Sequence, residues 1–302
     1  MAELQCVRNP ELDDSSMSNE RHLVFRTVWW TANILLAAAF ASLVYSGIRE
    51  YSVRRYLDGF SDAIVPDSLP AVPKVEALLN WMRAEPSRAV TDHPEQLAHR
   101  DPTVTLNYAQ LLNVCGTATN AFLNLARSSD LRVRRLLLLD AHRNTIHVVA
   151  EVFVDSRWIV VDPTYRVILR DASGRMLTKN DLRKPEIFAQ AIAQIPGYPA
   201  EYTYERFAHV RVMRLPMVGL GLRRGLDWVL PGWEEMTDWS LLLERESFLF
   251  LVVSAVATSL MVLVRVLLAW YADRRLHIPR FGLRKHFLRA GVALFSTPEI
   301  HR

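Results

Sequence analysis

Two long apolar runs bracket a mixed middle. Thr27 to Ile48 carries no charged residue, and as a helix it is long enough to cross the hydrocarbon core of a bilayer. Phe248 to Val264 is equally free of charge, and the run resumes after Arg265 as Val266 to Tyr271. Arg265, near one end, can extend its head toward the headgroups. Trp29, Trp30 and Tyr45, then Trp239, Trp270 and Tyr271, stand where interfacial aromatics stand. Neither run has the polar stripe of a helix lying on a soluble core.

Between the runs the periodicity changes from element to element. Val75, Leu78, Leu79 and Met82 fall on one face of a helix over Lys74 to Met82. Val90 to Val104 is polar and Pro-broken, a loop. Ala118, Ala121, Phe122 and Leu125 recur at i, i+3, i+4 and i+7, so a helix begins near Cys115. Arg132 to Leu139 reads as a strand with Asp140 to Asn144 as its turn. His147 to Val154 and Trp158 to Val161 are β-rich runs separated by Asp155-Ser156-Arg157, a hairpin signature. Val167 to Leu169 can extend the sheet, and Asp171 to Gly174 is a turn. Thr178 or Asn180 can cap a helix running to about Gln194. The order of helices and strands predicts an α+β domain without internal repeats. The mixed stretch from about Arg211 to Trp239 is expected to hug the membrane or the domain surface.

Charge changes the picture only for topology. Most of the net charge of +4 resides outside the middle, since residues 49 to 245 hold 25 basic against 24 acidic side chains. No basic patch for nucleic acid is indicated. Arg274, Arg275, Arg280, Arg284, Lys285 and Arg289 follow the second run, and the positive-inside rule places such a cluster in the cytoplasm. Arg49, Arg54 and Arg55 argue weakly the other way. The stretch before the first run is acidic (Glu11, Asp13, Asp14, Glu20) and no small-x-small cleavage site follows it, so the run reads as an anchor. The expected organisation is a cytoplasmic leader over 1–22, a first transmembrane helix over 23–48, and an exported domain over 49–245 with its core about 75–200. A second transmembrane helix over 246–272 and a basic cytoplasmic tail over 273–302 complete it. The expected location is the plasma (inner) membrane, two-pass, with the domain periplasmic or extracellular and the lipid bilayer as one partner.

The chain has two cysteines, Cys6 and Cys115, expected on opposite sides of the membrane, so no disulfide is available. A buried inert thiol is the bland reading of Cys115. Its setting favours another. A helix start presents unpaired N–H groups and a positive dipole end, which favour a thiolate. If Asp155 and Ser156 are the central turn residues, His147 lies opposite Thr164 and Asp162 is its same-face diagonal neighbour. A carboxylate that orients an imidazole, and a thiol for that imidazole to activate, are the parts of a nucleophilic site.

The segments Asn113-Val-Cys115-Gly-Thr-Ala-Thr, His147-Val-Val-Ala-Glu151-Val and Trp158-Ile-Val-Val-Asp162-Pro163-Thr164 resemble, in order and spacing, the transglutaminase-like superfamily of papain-like fold. The resemblance spans roughly residues 75 to 200 and suggests a membrane-anchored bacterial member. Asn113 stands where that family usually has Gly, Val149 where it often has Trp, and Ser129-Asp130 where Gly commonly closes the helix. The resemblance implies a Cys-bearing helix packed on an antiparallel sheet, with Cys115 as nucleophile, His147 as base and Asp162 as orienter. It implies acyl transfer through a thioester, either hydrolysis of a peptide or carboxamide or crosslinking to an amine, on a protein or peptide substrate outside the cytoplasm. The rival expectation is a non-catalytic scaffold of the same fold in a cell-envelope assembly, such as polysaccharide or protein export.

Other residues carry smaller expectations. Gln110 and Tyr108, shortly before Cys115, are candidates to assist an oxyanion hole beside the Cys115 N–H. Trp158 and Glu151 are candidates to shape the site, Glu151 because it shares the His147 face of its strand. His142 lies on a turn, and His93 and His99 lie in the polar loop; all three are expected in solvent. No Cys-x-x-Cys or His-x-x-x-His suggests a metal, no Gly-rich loop suggests a nucleotide, and no cofactor is expected.

Overall fold

Both apolar runs are helical in the computed structural model, which describes residues 10–84, 88–209, 221, 224–225, 228–230 and 240–276. The chain divides into two units, one holding residues 44–252 and the other the flanking stretches 1–43 and 253–302. In the flanking unit, Ser42 and Ser254 share a hydrogen bond of 2.9 Å, and the Arg265 guanidinium lies 4.9 Å from the centre of the Trp29 ring. Helix α1 spans Pro10–Asp62, and a later helix, α7, spans Glu246–Tyr271. Leu23–Asp62 and Glu246–Arg275 are long and apolar enough to cross a membrane, and only 11% of each apolar stretch is buried. A core helix would bury that surface. Most of the connection over 211–239, and the tail beyond 276, lie outside the described residues.

Helix α1 continues beyond the apolar run that ends at Ile48. Beyond Arg49 and Glu50 it continues for more than three turns with Val53 and Leu57 buried. These two positions are four apart and form a new apolar stripe. That stripe packs with helix α2 (Ala71–Arg83) and helix α4 (Cys115–Ser128) in one core cluster. Glu50 accepts from Arg245 at 2.8 Å and Ser247 at 2.7 Å, while Arg245 also donates to Asn124 on α4 at 3.1 Å. Buried charges are retained where they are paired in this way.

The domain is α+β. Its antiparallel sheet has the order β4-β3-β2-β1-β5, with β1 at Val133–Leu139, β2 at Thr145–Val154, β3 at Arg157–Asp162, β4 at Val167–Ile168 and β5 at Phe207–Ala208. Helices cover both faces. Ala150, Val152, Val154, Ile159 and Val161 meet α1, α2 and α4 on one side. Leu136, Leu138, Val149, Val160 and Phe207 meet Phe188, Tyr198 and Tyr204 on the other. Among the described residues between α2 and α4 the loop holds short pieces, including α3 (Pro102–Thr105) capped by Asp101.

Asp155 (φ 46) and Ser156 (φ 63) take the two left-handed positions of a tight primed turn, pairing Val154 with Arg157 and Ala150 with Val161. Helix α4 closes with Asp130 at φ 61, so an aspartate occupies the left-handed position that glycine often fills. The helix expected from Thr178 to about Gln194 is two helices, α5 (Lys179–Leu182) and α6 (Pro185–Ile192). Thr178 caps the first in a reciprocal box with Asp181, and Lys184, held extended before Pro185, separates them.

Candidate active site

The first turn of α4 is fixed by Thr117. Its hydroxyl donates to the Leu111 carbonyl and, at 3.1 Å, to that of Val114. Thr119 donates to the Val148 carbonyl at 2.9 Å and ties the helix to β2. Cys115 occupies the first helical position and is half-buried. The β1–β2 register shifts between Leu138, opposite His147, and Leu139, opposite Thr145. This bulge leaves Ile146 as the extra residue immediately before His147, and a bulge re-aims the side chains beside it.

His147 is buried, and its Nε2 lies 2.7 Å from Asp162 Oδ2. Asp162 is fully buried, and its Oδ1 accepts the backbone N–H groups of Thr164 at 3.0 Å and Tyr165 at 3.3 Å. These bonds across Pro163 hold the carboxylate in one orientation. With Nε2 donating to Asp162, the other ring nitrogen carries a lone pair. Nδ1 is buried and makes no closed hydrogen bond, while the thiol beside the ring shifts its titration. The adjacent His147 ring is the main influence lowering the Cys115 pKa, opposed by burial and assisted by the backbone of Val148 and Gly116. Burial would lower the His147 pKa, but the bond to Asp162 and the neighbouring Cys115 thiol outweigh it and raise it to about 9. The arrangement therefore favours a thiolate beside an imidazolium.

Aromatic rings enclose the imidazole, and the sequence reading missed them. Tyr202 stacks on His147 with centroids 4.1 Å apart and planes at 7°. Tyr165 and Tyr198 stand edge-on to the same ring at 6.1 and 6.4 Å. A tyrosine face against an imidazolium is a favourable cation–π contact. The only signal available was the density of tyrosines at 198, 202 and 204, far from the histidine in sequence.

The remaining expected residues sit elsewhere. Glu151 shares the His147 face but is fully buried and bonds Arg134 at 2.8 Å, with His209 at 3.6 Å. These partners come from β1 and from next to β5, so it braces the sheet interior, four residues or about 13 Å along the strand from His147. Trp158 lies at the turn end of the hairpin, its ring tilted against Phe153 with centroids 5.2 Å apart and beneath Arg134 at 4.1 Å. Four residues of strand, about 13 Å, separate it from Asp162, so it does not line the site. Gln110 spends its amide N–H on the Thr91 carbonyl at 2.7 Å. Tyr108 is half-buried in the loop segment that pairs with Ala89. Val149, which stands where the family often has Trp, is fully buried in the core. His142, His93 and His99 are exposed. Among the described residues no group of three or more His, Cys, Asp or Glu side chains is arranged to hold a metal ion.

Residues 59–163 match the family model of the transglutaminase-like superfamily core. This segment is a transglutaminase-like domain. The match begins in the last turns of α1, earlier than the expected 75, and ends one residue after Asp162, well before 200. It includes Cys115, His147 and Asp162 and leaves out the Tyr198 to Tyr204 segment that packs on His147. No curated protein and no solved structure gives a significant match to the chain.

Proposed function

We propose that this chain is a membrane-anchored cysteine enzyme that transfers acyl groups from peptide or carboxamide bonds. The observation that carries the reading is the line from Asp162 through the His147 ring to the Cys115 thiol, closed at 2.7 Å on its carboxylate side. The Cys115 thiolate attacks the carbonyl carbon, and the developing oxyanion sits near the N–H groups at the start of α4. As the C–N bond breaks, the imidazolium gives its proton to the leaving amine, leaving a thioester on Cys115. Neutral His147 then takes a proton from water or from an amine, which attacks the thioester and frees the thiol. Water gives hydrolysis; an amine gives a crosslink. Asp162 holds the ring in the tautomer that both steps require.

Trapping tests this directly. An activated ester should acylate Cys115 in the full-length protein. It should leave no adduct at that position in Cys115→Ala and a severely slowed one in His147→Ala. Equal labelling of wild type and the His147 variant would sink the reading.

The same proposal places both apolar helices across the inner membrane, with the domain outside and Arg274 and Arg275 on the cytoplasmic side. An exported phosphatase fused after about residue 209 should be active, and a cytoplasmic fluorophore fused after residue 302 should shine. The opposite pattern would invert the topology.

A further inference from the structure

Beside the candidate active site an open cleft of about 300 Å³ lies between α2 and β4. Three guanidiniums line it, those of Arg83, Arg166 and Arg170, against one carboxylate, Glu76, over a floor that includes Leu79. Arg166 has an unusual backbone for a long side chain, with φ 59. Left-handed geometry of this kind costs an L-residue about 1 kcal/mol or more and persists where its surroundings over-determine it. Here they do. The Arg166 side chain donates to Met82 O at 3.1 Å, Thr164 O at 3.1 Å and Asn113 Oδ1 at 3.0 Å, and its own carbonyl accepts from Arg83 at 2.8 Å. A guanidinium has five N–H donors. Arg166 spends three of them, Arg83 two (on Asn80 and Arg166) and Arg170 two (on Gly174 and Glu76), so each keeps donors to offer.

We propose that this cleft is a substrate subsite for a carboxylate, so that the enzyme prefers peptides with an acidic side chain near the reacting carboxamide. The proposal rests on the acyl-transfer reading above. Two connections tie the cleft to the thiol. Arg166 bonds Asn113, two residues before Cys115, and follows Asp162 by four positions on the segment that carries the carboxylate. Two residues of backbone plus the Asn113 side chain put the guanidinium on the order of 10 Å from Cys115. An extended peptide rises about 3.3 Å per residue, so an acidic residue about three positions from the reacting carboxamide reaches the cleft. Guanidinium forks match carboxylates in geometry as well as charge.

The test uses full-length Cys115→Ala protein in detergent, which binds without turning over. The probes are a fluorescent peptide with a central Gln and a Glu three residues away, the same peptide with that Glu replaced by Gln, and inorganic phosphate. The acidic peptide should bind about tenfold tighter than the neutral one. Adding Arg170→Gln should erase most of that preference. Adding Glu76→Gln, which removes the opposing carboxylate, should increase it about threefold, a gain that misfolding cannot mimic. Equal binding of the two peptides would overturn the proposal. So would a preference indifferent to both added substitutions, or phosphate binding without discrimination between the peptides. Ester trapping on the wild type separates the two readings. Failed trapping with a retained acidic preference rejects the chemistry, and intact trapping without the preference rejects the subsite.

Discussion

Asp162→Asn is expected to lower turnover by about 10³ to 10⁴ while leaving the fold in place. The reason lies in how the two carboxylate oxygens are used. Oδ1 accepts two backbone N–H groups, and an asparagine carbonyl oxygen can keep both. That leaves an NH₂ group facing His147 Nε2 where an acceptor stood. The ring must then present Nε2 as the acceptor and carry its proton on Nδ1, the nitrogen beside the thiol. A protonated Nδ1 on a neutral ring cannot take the Cys115 proton. Steady-state turnover on a glutamine-type amide, with thermal melts of the same preparations, reads both quantities. A variant that melts near wild type and keeps its rate would remove Asp162 from the chemistry.

Leu57→Ala is expected to cost about 2 to 5 kcal/mol, the range for a leucine truncated in a packed core. In a domain of this size that lowers the melting temperature by roughly 5 to 15 °C. Leu57 is 0% exposed among α2 and α4 residues, whereas Leu35, earlier on the same helix, is 52% exposed. Leu35→Ala in the same detergent should change the melt little. The contrast tests whether the end of α1 belongs to the domain core. Equal, small effects at both positions would show that it does not.

The sequence was most legible where local chemistry sets geometry. Asp155 and Ser156 dictated a two-residue turn, and that turn alone aligned His147 with Asp162 across the hairpin. The stripe Ala118, Ala121, Phe122 and Leu125 set the buried face of α4 and hence the position of Cys115 at its start. What stayed hidden depends on partners distant in the chain. Glu151 looked like a site residue because alternation gives its face and not its partner, which is Arg134 on the neighbouring strand. Tyr202 reaches His147 only because α5 and α6 bring the chain back over the sheet, and no period in the sequence encodes that return. The continuation of α1 into the domain is not legible because Arg49 and Glu50 look like a membrane boundary. They mark the end of one apolar stripe and the start of another at Val53 and Leu57.

The most direct measurement is the pH dependence of Cys115 alkylation by iodoacetamide in the full-length protein, read at that residue by mass spectrometry so that Cys6 does not contribute. A lowered thiol pKa means the thiolate is present below the ordinary midpoint of about 8.5. Alkylation should therefore already be substantial at about pH 7. A second change is expected as the pH rises through about 9, where His147 loses its proton and the thiolate its counterion. His147→Ala should move the first midpoint up to the ordinary range and abolish the second. A Cys115 that reacts only above about pH 8, and does so regardless of His147, would contradict the account and leave the domain as a scaffold.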